Sequence, residues 1–140
     1  MPPAPEPVGS YVPYVRTGDL VFTSGQLPMR DGKLTATGKV GSKLTVEQGV
    51  EAARVAALNA LAQVAAAAGG LSKVQRIIRL RLFVNSAEGF TDQAKVANGA
   101  SDLFSAVFGD SGRHARAAVG VNELPLDSPV ELELIARIEG

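Results

Sequence analysis

The alternation of apolar and polar residues is most regular near the end of the chain, where it predicts two strands joined by a turn rich in proline, aspartate and serine. The second strand has an apolar face of Val130, Leu132, Leu134, Ala136 and Ile138, opposite Glu131, Glu133, Ile135 and Arg137. The first strand has Ala117, Val119 and Val121 opposite Arg116, Ala118, Gly120 and Asn122. Because Ala118 and Gly120, two and four places after Arg116 on its face, are small, we expect space for a ligand beside its guanidinium group.

Two stretches with apolar residues at steps of three and four predict helices. The first opens with a capping box at Thr45-Val-Glu-Gln48 and ends at Gly69-Gly70. Its apolar stripe consists of Val46, Val50, Ala53, Ala57, Ala60, Leu61 and Val64. Its dense alanine favours helix and a close approach to a sheet. The second helix is predicted from Phe90 to Phe108, with Gly109 as its stop. Its expected inner positions are Ala94, Ala97, Asn98, Ser101, Leu103, Phe104 and Phe108.

The remaining alternating segments predict a hairpin near the start of the chain and a long strand in the middle. The hairpin comprises Tyr11 to Thr17 and Leu20 to Ser24. A second turn at Arg30-Asp-Gly-Lys33 precedes an edge strand or loop from Leu34 to Val40. The long strand, Val74 to Asn85, is expected to place Ile78, Leu80, Leu82 and Val84 on one face and Ile77, Arg79, Arg81 and Phe83 on the other.

The order strand, strand, short strand, helix, strand, helix, strand, strand predicts one α+β domain over residues 1–140. In this layout two helices cover one face of a mixed sheet. The other face is expected to carry Arg79, Arg81, Arg116, Glu131 and Glu133 among apolar residues such as Ile77, Phe83 and Ile135. Such a mixed surface is compatible with solvent or with another subunit, and the residues alone leave both open.

Composition narrows the classes of function. Lys and Arg together number 14, as do Asp and Glu, so the zero net charge argues against nucleic-acid and acidic-membrane partners. With no cysteine and one histidine, the chain has no thiol nucleophile, and we expect no metal site. The proline-rich residues 1–8 do not resemble a signal peptide, and no run has the length of a membrane span. We therefore expect a soluble, cytoplasmic protein whose first eight residues form an extended arm, either a docking arm or a frayed terminus.

Three ordered segments resemble the Rid (reactive intermediate deaminase) family, also called the YjgF or L-PSP endoribonuclease family. They are His114-Ala-Arg-Ala-Ala-Val-Gly-Val with Leu124-Pro and Val130-Glu-Leu-Glu-Leu-Ile-Ala, Gly9-Ser-Tyr with Gly18-Asp-Leu-Val-Phe-Thr-Ser-Gly-Gln-Leu-Pro, and Leu58-Asn before Ala68-Gly-Gly. Together they extend over nearly the whole chain, from about Gly9 to Ile138. The resemblance implies a chorismate mutase-like (YjgF-like) fold, a homotrimer around a central barrel, clefts between neighbouring subunits, and a reaction without metal or cofactor.

The resemblance also implies roles for single residues. Arg116 would bind the carboxylate of a 2-imino or 2-enamino acid through two parallel hydrogen bonds, and the alternative is a salt bridge with Glu131 or Glu133. Glu131 would organise the attacking water as a general base or acid, and the alternative is a salt bridge or a solvated strand position. Further residues that match lining positions of the cleft are Tyr11, Ser24 and Asn98. These last three residue types are also common in purely structural positions.

The single histidine, His114, stands where many members of that family carry proline before Ala-Arg. It has no obvious nucleophile or metal partner in the sequence, so we interpret it as a structural residue at the rim of the cleft. The predicted second helix is richer in glycine and alanine than that of the better-known deaminases. In addition, Ala117 stands where a hydroxyl residue is frequent. The composition of the second helix indicates a side branch of the family, and both departures bear on the identity of the substrate.

The activity implied by the resemblance is hydrolytic deamination of 2-imino or 2-enamino acids to 2-keto acids and ammonia. Positioning of the imine and water, with stabilisation of developing charge, would accelerate a reaction that also proceeds unaided. Two alternatives stay open: a trimer that binds small carboxylic metabolites without turnover, and the ribonuclease activity of one family name. Zero net charge and a single histidine argue against the ribonuclease.

Overall fold

The computed structural model describes residues 2–7 and 9–140 and contains a mixed five-stranded sheet with two helices packed on one face. The elements are β1 (Tyr14–Thr17), β2 (Leu20–Thr23), β3 (Met29–Arg30), β4 (Lys33–Leu34), α1 (Val46–Ala68), β5 (Val74–Asn85), α2 (Gln93–Phe108), β6 (Ala115–Val121) and β7 (Val130–Ile138). The sheet has the order β1-β2-β7-β5-β6, and β3 with β4 forms a separate hairpin. Within the sheet, only β5 and β6 are parallel. The predicted α+β fold is confirmed.

The core lies between the helices and the apolar face of the sheet, and β7 crosses its middle. The five inward positions of β7 are all buried, as predicted: Val130, Leu132, Leu134, Ala136 and Ile138. Full burial of a valine, leucine or isoleucine side chain contributes about 1.5–3 kcal/mol. The alternate positions from Glu131 to Arg137 are half-buried or exposed, so the strand separates a packed face from an open one.

Helix α1 begins and ends as its sequence predicts. The Thr45 hydroxyl accepts a hydrogen bond from the Gln48 backbone at 3.1 Å, and the Gln48 side chain accepts one from the Thr45 backbone at 2.8 Å. Gly69 ends the helix with a positive φ of 85°, which glycine adopts at little cost. Most of the buried apolar residues between these ends are alanines, with Leu61 and Val64 as larger core side chains, and the small alanines let the helix pack close to the sheet.

Helix α2 begins at Gln93 rather than at Phe90. Its buried residues are Val96, Ala97, Gly99, Ala100 and Phe104. The expectation that Ala94 and Asn98 point inward was wrong, because both are exposed. The helix crosses α1 at Gly99, where an added Cβ would collide with the carbonyl oxygen of Val50. This contact fixes the rotation of α2 and leaves Asn98 facing out.

A bulge in β5 accounts for a second difference from expectation. Ile77 pairs with Ala136 and Arg79 pairs with Ile135, so Ile78 is an extra residue between them. The extra residue reverses the alternation. Ile77 is therefore fully buried on the helix side, whereas we had expected it on the open face with Phe83. Beyond the bulge, Leu80, Leu82 and Val84 are buried as predicted.

Two of the predicted strands in the first third of the chain are shorter than expected. The first strand begins at Tyr14, not Tyr11, and the stretch from Leu34 to Val40 is strand only at its first residue. Residues 2–7 have no regular secondary structure, but the arm is tied to α1 because Gln63 donates a hydrogen bond to the Pro5 carbonyl at 2.8 Å. Across 2–7 and 9–140, no helix is both long and apolar enough to cross a bilayer.

Candidate functional site

Arg116 lies on β6, directly beside Leu80 of β5. Leu80 is buried under the helices, so Arg116 is on the helix side of the sheet, and our placement of it on the open face was wrong. Its Nη1 atom donates hydrogen bonds to the Asn98 side-chain oxygen at 2.8 Å and to the Ser101 hydroxyl at 3.2 Å. The alternative, a salt bridge of Arg116 with Glu131 or Glu133, is not formed among the described residues, and Glu133 instead pairs with Arg81 at 3.1 Å.

The guanidinium group of Arg116 is exposed, and its two edges differ. Both protons of Nη1 are used by α2, whereas Nε and Nη2 donate to none of the described residues. These two atoms form a planar fork that matches a carboxylate with two parallel hydrogen bonds. The arginine is therefore held on one edge and available on the other.

His114 lies directly behind this arginine. Its Nε2 atom is 2.9 Å from the Ser101 hydroxyl, and its Nδ1 atom is 2.6 Å from the Gly112 carbonyl oxygen. The ring also meets Phe104 edge-on, with 5.4 Å between ring centroids. We had interpreted His114 as a structural rim residue, and Ser101 only as an inward helix position. Asn98, Ser101, His114 and Arg116 form what we call the arginine cluster.

Glu131 lies on the open side of β7, with its carboxylate against the backbone of Gly25. A Cβ on Gly25 would lie 2.7 Å from Glu131 Oε2, so a larger residue at position 25 would displace the carboxylate. Gly25 is fixed because the next residue, Gln26, pairs with Leu132 through hydrogen bonds of 2.7 and 2.9 Å. Burial raises the pKa of the Glu131 carboxyl above its ordinary value, and the charge of Glu133 raises this pKa further.

Tyr11 and Ser24 lie around the same turn. The Ser24 hydroxyl donates to the Val12 carbonyl at 2.6 Å, which ties the segment after Tyr11 to the end of β2. Tyr11 and Gly25 line a mostly apolar cavity of about 560 Å³ beside α1. The arm, the β3–β4 hairpin and α1 supply its other walls, through residues such as Pro5, Leu27, Met29, Val55 and Leu58, with Leu126 also in the lining. Tyr11, Ser24, Gly25 and Glu131 form what we call the glutamate cluster.

The two clusters do not meet within one chain. Glu131 is two strand spacings, roughly 10 Å, from β6. It is level with Val119, three residues beyond Arg116, and it faces the opposite side of the sheet. The structure therefore brings Arg116 together with Asn98, and Glu131 together with Gly25, the neighbour of Ser24, but it separates these two pairs.

Sequence reasoning missed Ser101, Gly25 and the position of His114. The available signal was spacing: Asn98 and Ser101 are three residues apart on a helix, and His114 and Arg116 are two apart at the start of a strand. Each pair therefore shares a face. That these two faces meet depends on the packing of α2 against β6, which no local pattern specifies. Among the described residues, no three His, Cys, Asp or Glu side chains are grouped so as to bind a metal ion.

Several known proteins resemble this chain over nearly its full length. Protein TCP17 of Trypanosoma cruzi is 47% identical over 139 residues, which cover 99% of this chain and 87% of that protein. The 2-iminobutanoate/2-iminopropanoate deaminase of Dermatophagoides farinae is 30% identical over 140 residues, covering 99% and 93%. Among solved structures, Atu1372 of Agrobacterium tumefaciens, a protein of unknown function, has a TM-score of 0.90 at 48% identity, covering 93% of this chain and 83% of that one.

A further solved structure, Escherichia coli TdcF with bound serine, has a TM-score of 0.71 at 30% identity, covering 97% of this chain and 94% of that one. Residues 1–138 match the family described as "YjgF/chorismate mutase-like, putative endoribonuclease". This match covers nearly the whole chain and confirms the resemblance found in the sequence. One relative is named a 2-iminobutanoate/2-iminopropanoate deaminase, and another, TdcF of Escherichia coli, is named a reactive intermediate deaminase. The chain belongs to the YjgF family, also known as the Rid or L-PSP endoribonuclease family.

Proposed function

We propose that this protein is a hydrolytic deaminase of reactive 2-imino and 2-enamino acids, and that it acts as a homotrimer with its sites in clefts between subunits. The observation that carries the proposal is the division of the chemistry: an available arginine fork lies on one side of the sheet and a carboxylate of raised pKa on the other. A complete site then needs the arginine cluster of one subunit and the glutamate cluster of the next. The names of the imine deaminase and of serine-bound TdcF support a small carboxylate as substrate.

In the proposed reaction, Nε and Nη2 of Arg116 bind the substrate carboxylate. The Glu131 carboxylate takes a proton from water as the water oxygen bonds to the imine carbon. This proton passes to the imine nitrogen and gives a carbinolamine. The hydroxyl proton follows the same route as the carbon–nitrogen bond breaks, so that the products are a 2-keto acid and ammonia. A carboxylate with a raised pKa is a stronger base than an ordinary glutamate, which suits this step.

The other cluster residues would shape the cleft. Asn98 holds the arginine, Tyr11 supplies an exposed ring and hydroxyl, and Ser24 fixes the turn on which Gly25 meets Glu131. The apolar cavity beside Tyr11 would take the side chain of the substrate. Because no step needs an electron acceptor or a covalent intermediate, these side chains suffice for the reaction as written.

A second function, binding of a carboxylic metabolite without turnover, is favoured by that same cavity. Its volume of about 560 Å³ lies within the range of small-molecule sites, and its lining is mostly apolar. A binder would need the arginine cluster but not a base. The two functions therefore differ in their requirement for Glu131.

The first test measures ammonia release from enzymatically generated 2-iminobutanoate and 2-aminoacrylate. We expect Arg116→Ala to lower kcat/KM roughly 10- to 100-fold, as loss of a charged hydrogen-bond partner does. Arg54→Ala, an exposed arginine of α1, is the control and should keep wild-type activity. Equal acceleration by Arg116→Ala would show that the anchor lies elsewhere. No acceleration by the folded wild type would reject deamination of these substrates, and binding of 2-oxobutanoate would then test the second function.

A mixing experiment tests the shared site. Arg116→Ala and Glu131→Gln chains, each expected to be strongly impaired alone, would be co-expressed with different affinity tags and purified as mixed trimers. Every mixed trimer should regain about one of its three clefts, because in a closed ring of two chain types just one neighbouring pair combines the intact arginine cluster with the intact glutamate cluster. Mixed trimers that stay inactive would contradict a site between subunits.

A further inference from the structure

The arginine cluster contains a continuous hydrogen-bond chain that ends at His114. It runs from Arg116 Nη1 to the Ser101 hydroxyl at 3.2 Å, from there to His114 Nε2 at 2.9 Å, and from His114 Nδ1 to the Gly112 carbonyl at 2.6 Å. The last hydrogen bond, to Gly112, determines which imidazole nitrogen carries the hydrogen. A carbonyl oxygen only accepts, so Nδ1 must carry a hydrogen, and in the neutral imidazole Nε2 is then an acceptor.

With Nε2 as acceptor, the Ser101 hydroxyl must donate its proton to His114. Its oxygen then keeps lone pairs for the Arg116 Nη1 proton. The donors and acceptors are thus all assigned: Arg116 donates to Ser101, and Ser101 donates to His114. The other neutral tautomer would place the bare Nδ1 against the Gly112 oxygen, two acceptors 2.6 Å apart, and is excluded by repulsion.

The end of this chain is anchored in packed backbone. Gly112 lies so close to α2 that a Cβ there would collide with the Phe104 carbonyl oxygen. Phe104 is fully buried, and its ring meets the His114 ring edge-on. Asn98, Ser101 and Phe104 follow one another at three-residue steps on α2, so a single helix face carries both acceptors for Nη1 and the wall for the histidine.

We propose that His114 is a positioning residue, which holds Arg116 through Ser101 so that Nε and Nη2 face the ligand carboxylate. This inference rests on the proposed function, since the group that is positioned is the carboxylate anchor. Two acceptors, Asn98 and Ser101, fix the Nη1 edge of the guanidinium group. Without the acceptor at Nε2 the Ser101 hydroxyl rotates freely, and the arginine keeps one fixed partner instead of two. Preorganisation of this kind lowers the entropy lost when a ligand binds.

Two substitutions of His114 separate positioning from a local structural role. In His114→Gln the side-chain oxygen reaches the place of Nε2 and can accept from Ser101. In His114→Asn the side-chain amide reaches the place of Nδ1 and can donate to Gly112. We expect His114→Gln to stay within about twofold of wild type, and His114→Asn and Ser101→Ala to raise KM roughly 5- to 10-fold with kcat little changed. Ser101→Ala leaves the Phe104 and Gly112 contacts intact, so its effect does not depend on folding.

Two further readouts do not depend on turnover. Imidazole ¹⁵N–¹H spectra should show His114 as the Nδ1–H tautomer, and 2-oxobutanoate should bind the same variants in the same order. A protonated Nε2 with a bare Nδ1 would overturn the proposal, as would an impaired His114→Gln beside a normal His114→Asn. Wild-type protein without turnover, but with this tautomer and this order of affinities, would reject the deaminase and keep the positioning role.

Discussion

At the scale of single residues, Glu131 is in an environment that opposes its charge. Burial comes first and the neighbouring Glu133 second, and both raise its pKa in the folded protein above the ordinary 4.5. The folded state then binds a proton more readily than the unfolded state. Stability from this group is complete below the ordinary pKa and is lost as pH rises through the folded pKa. The wild type therefore carries an unfavourable charge at neutral pH.

From this sign we expect Glu131→Gln to be more stable than the wild type at pH 7, with a difference that shrinks as pH falls towards 4. Urea denaturation of both proteins at several pH values between 4 and 7 measures this difference in stability. The same protonation removes the proposed base, so kcat/KM of the wild type should fall on the acid side with a midpoint above 4.5. Glu88→Gln, an exposed residue after β5, controls for loss of a carboxylate elsewhere. A stability difference that grows on acidification would contradict this account of Glu131.

The sequence identified Arg116 because an arginine followed by small residues on its own face is visible in a two-residue period. The resemblance named Asn98, but the contacts of Arg116 with Asn98 and Ser101 were not visible, because both partners come from a helix whose packing depends on Gly99. Likewise, the burial of Glu131 depends on Gly25, which reaches it through the pairing of Gln26 with Leu132. The identities of Arg116 and Glu131 as candidate site residues were thus predictable, and their surroundings were not.

At the scale of elements, the helix ends and strands that depend on residues close in sequence were predicted correctly. The cap at Thr45, the glycine end of α1 and the alternation of β7 each depend on neighbours in sequence. The bulge at Ile78 has no such signal, since two adjacent isoleucines suit either face. It follows from strand pairing, and it reversed the assignment of Ile77.

The crossing of α1 and α2 gives a prediction at this scale. Alanine usually stabilises a helix by up to about 1 kcal/mol relative to glycine, but at Gly99 its Cβ would collide with the Val50 backbone, which cannot move aside. We expect Gly99→Ala to lower the free energy of unfolding by roughly 2–3 kcal/mol, as overpacking does, measured by urea denaturation. It should also weaken binding of 2-oxobutanoate, because Asn98 lies beside Gly99 on the same helix.

Gly49→Ala is the matched control for this prediction. A Cβ at Gly49 would lie 3.2–3.3 Å from side-chain methyl groups of Val40 and Val96, which can adjust. We expect its stability to change by less than about 1 kcal/mol. Equal effects of the two substitutions would show that the Gly99 contact does not determine the position of α2.

At the scale of the whole molecule, the open face of the sheet is the feature that a single chain leaves unexplained. Phe22 and Val119 are 40% and 46% exposed there, beside the half-buried Ile135 and the ion pair of Arg81 with Glu133. Apolar side chains of this size on one sheet face are typical of a protein interface. The sequence showed this mixed face but not its partner, because solvent and a second subunit leave the same pattern.

The proposed trimer makes this face the buried one, and a charge placed on it should separate the subunits. We expect light scattering to give the wild type three times the mass of one chain, 14.5 kDa, and Phe22→Asp the mass of one chain. Deaminase activity should be lost with assembly, although the circular dichroism of the chain stays that of a folded protein. Val107→Asp is the control, since Val107 is 41% exposed but lies on α2, away from the open face. If Phe22→Asp kept the wild-type mass and activity, the open face would not be the trimer interface, and the pairing of the two clusters across it would have to be abandoned.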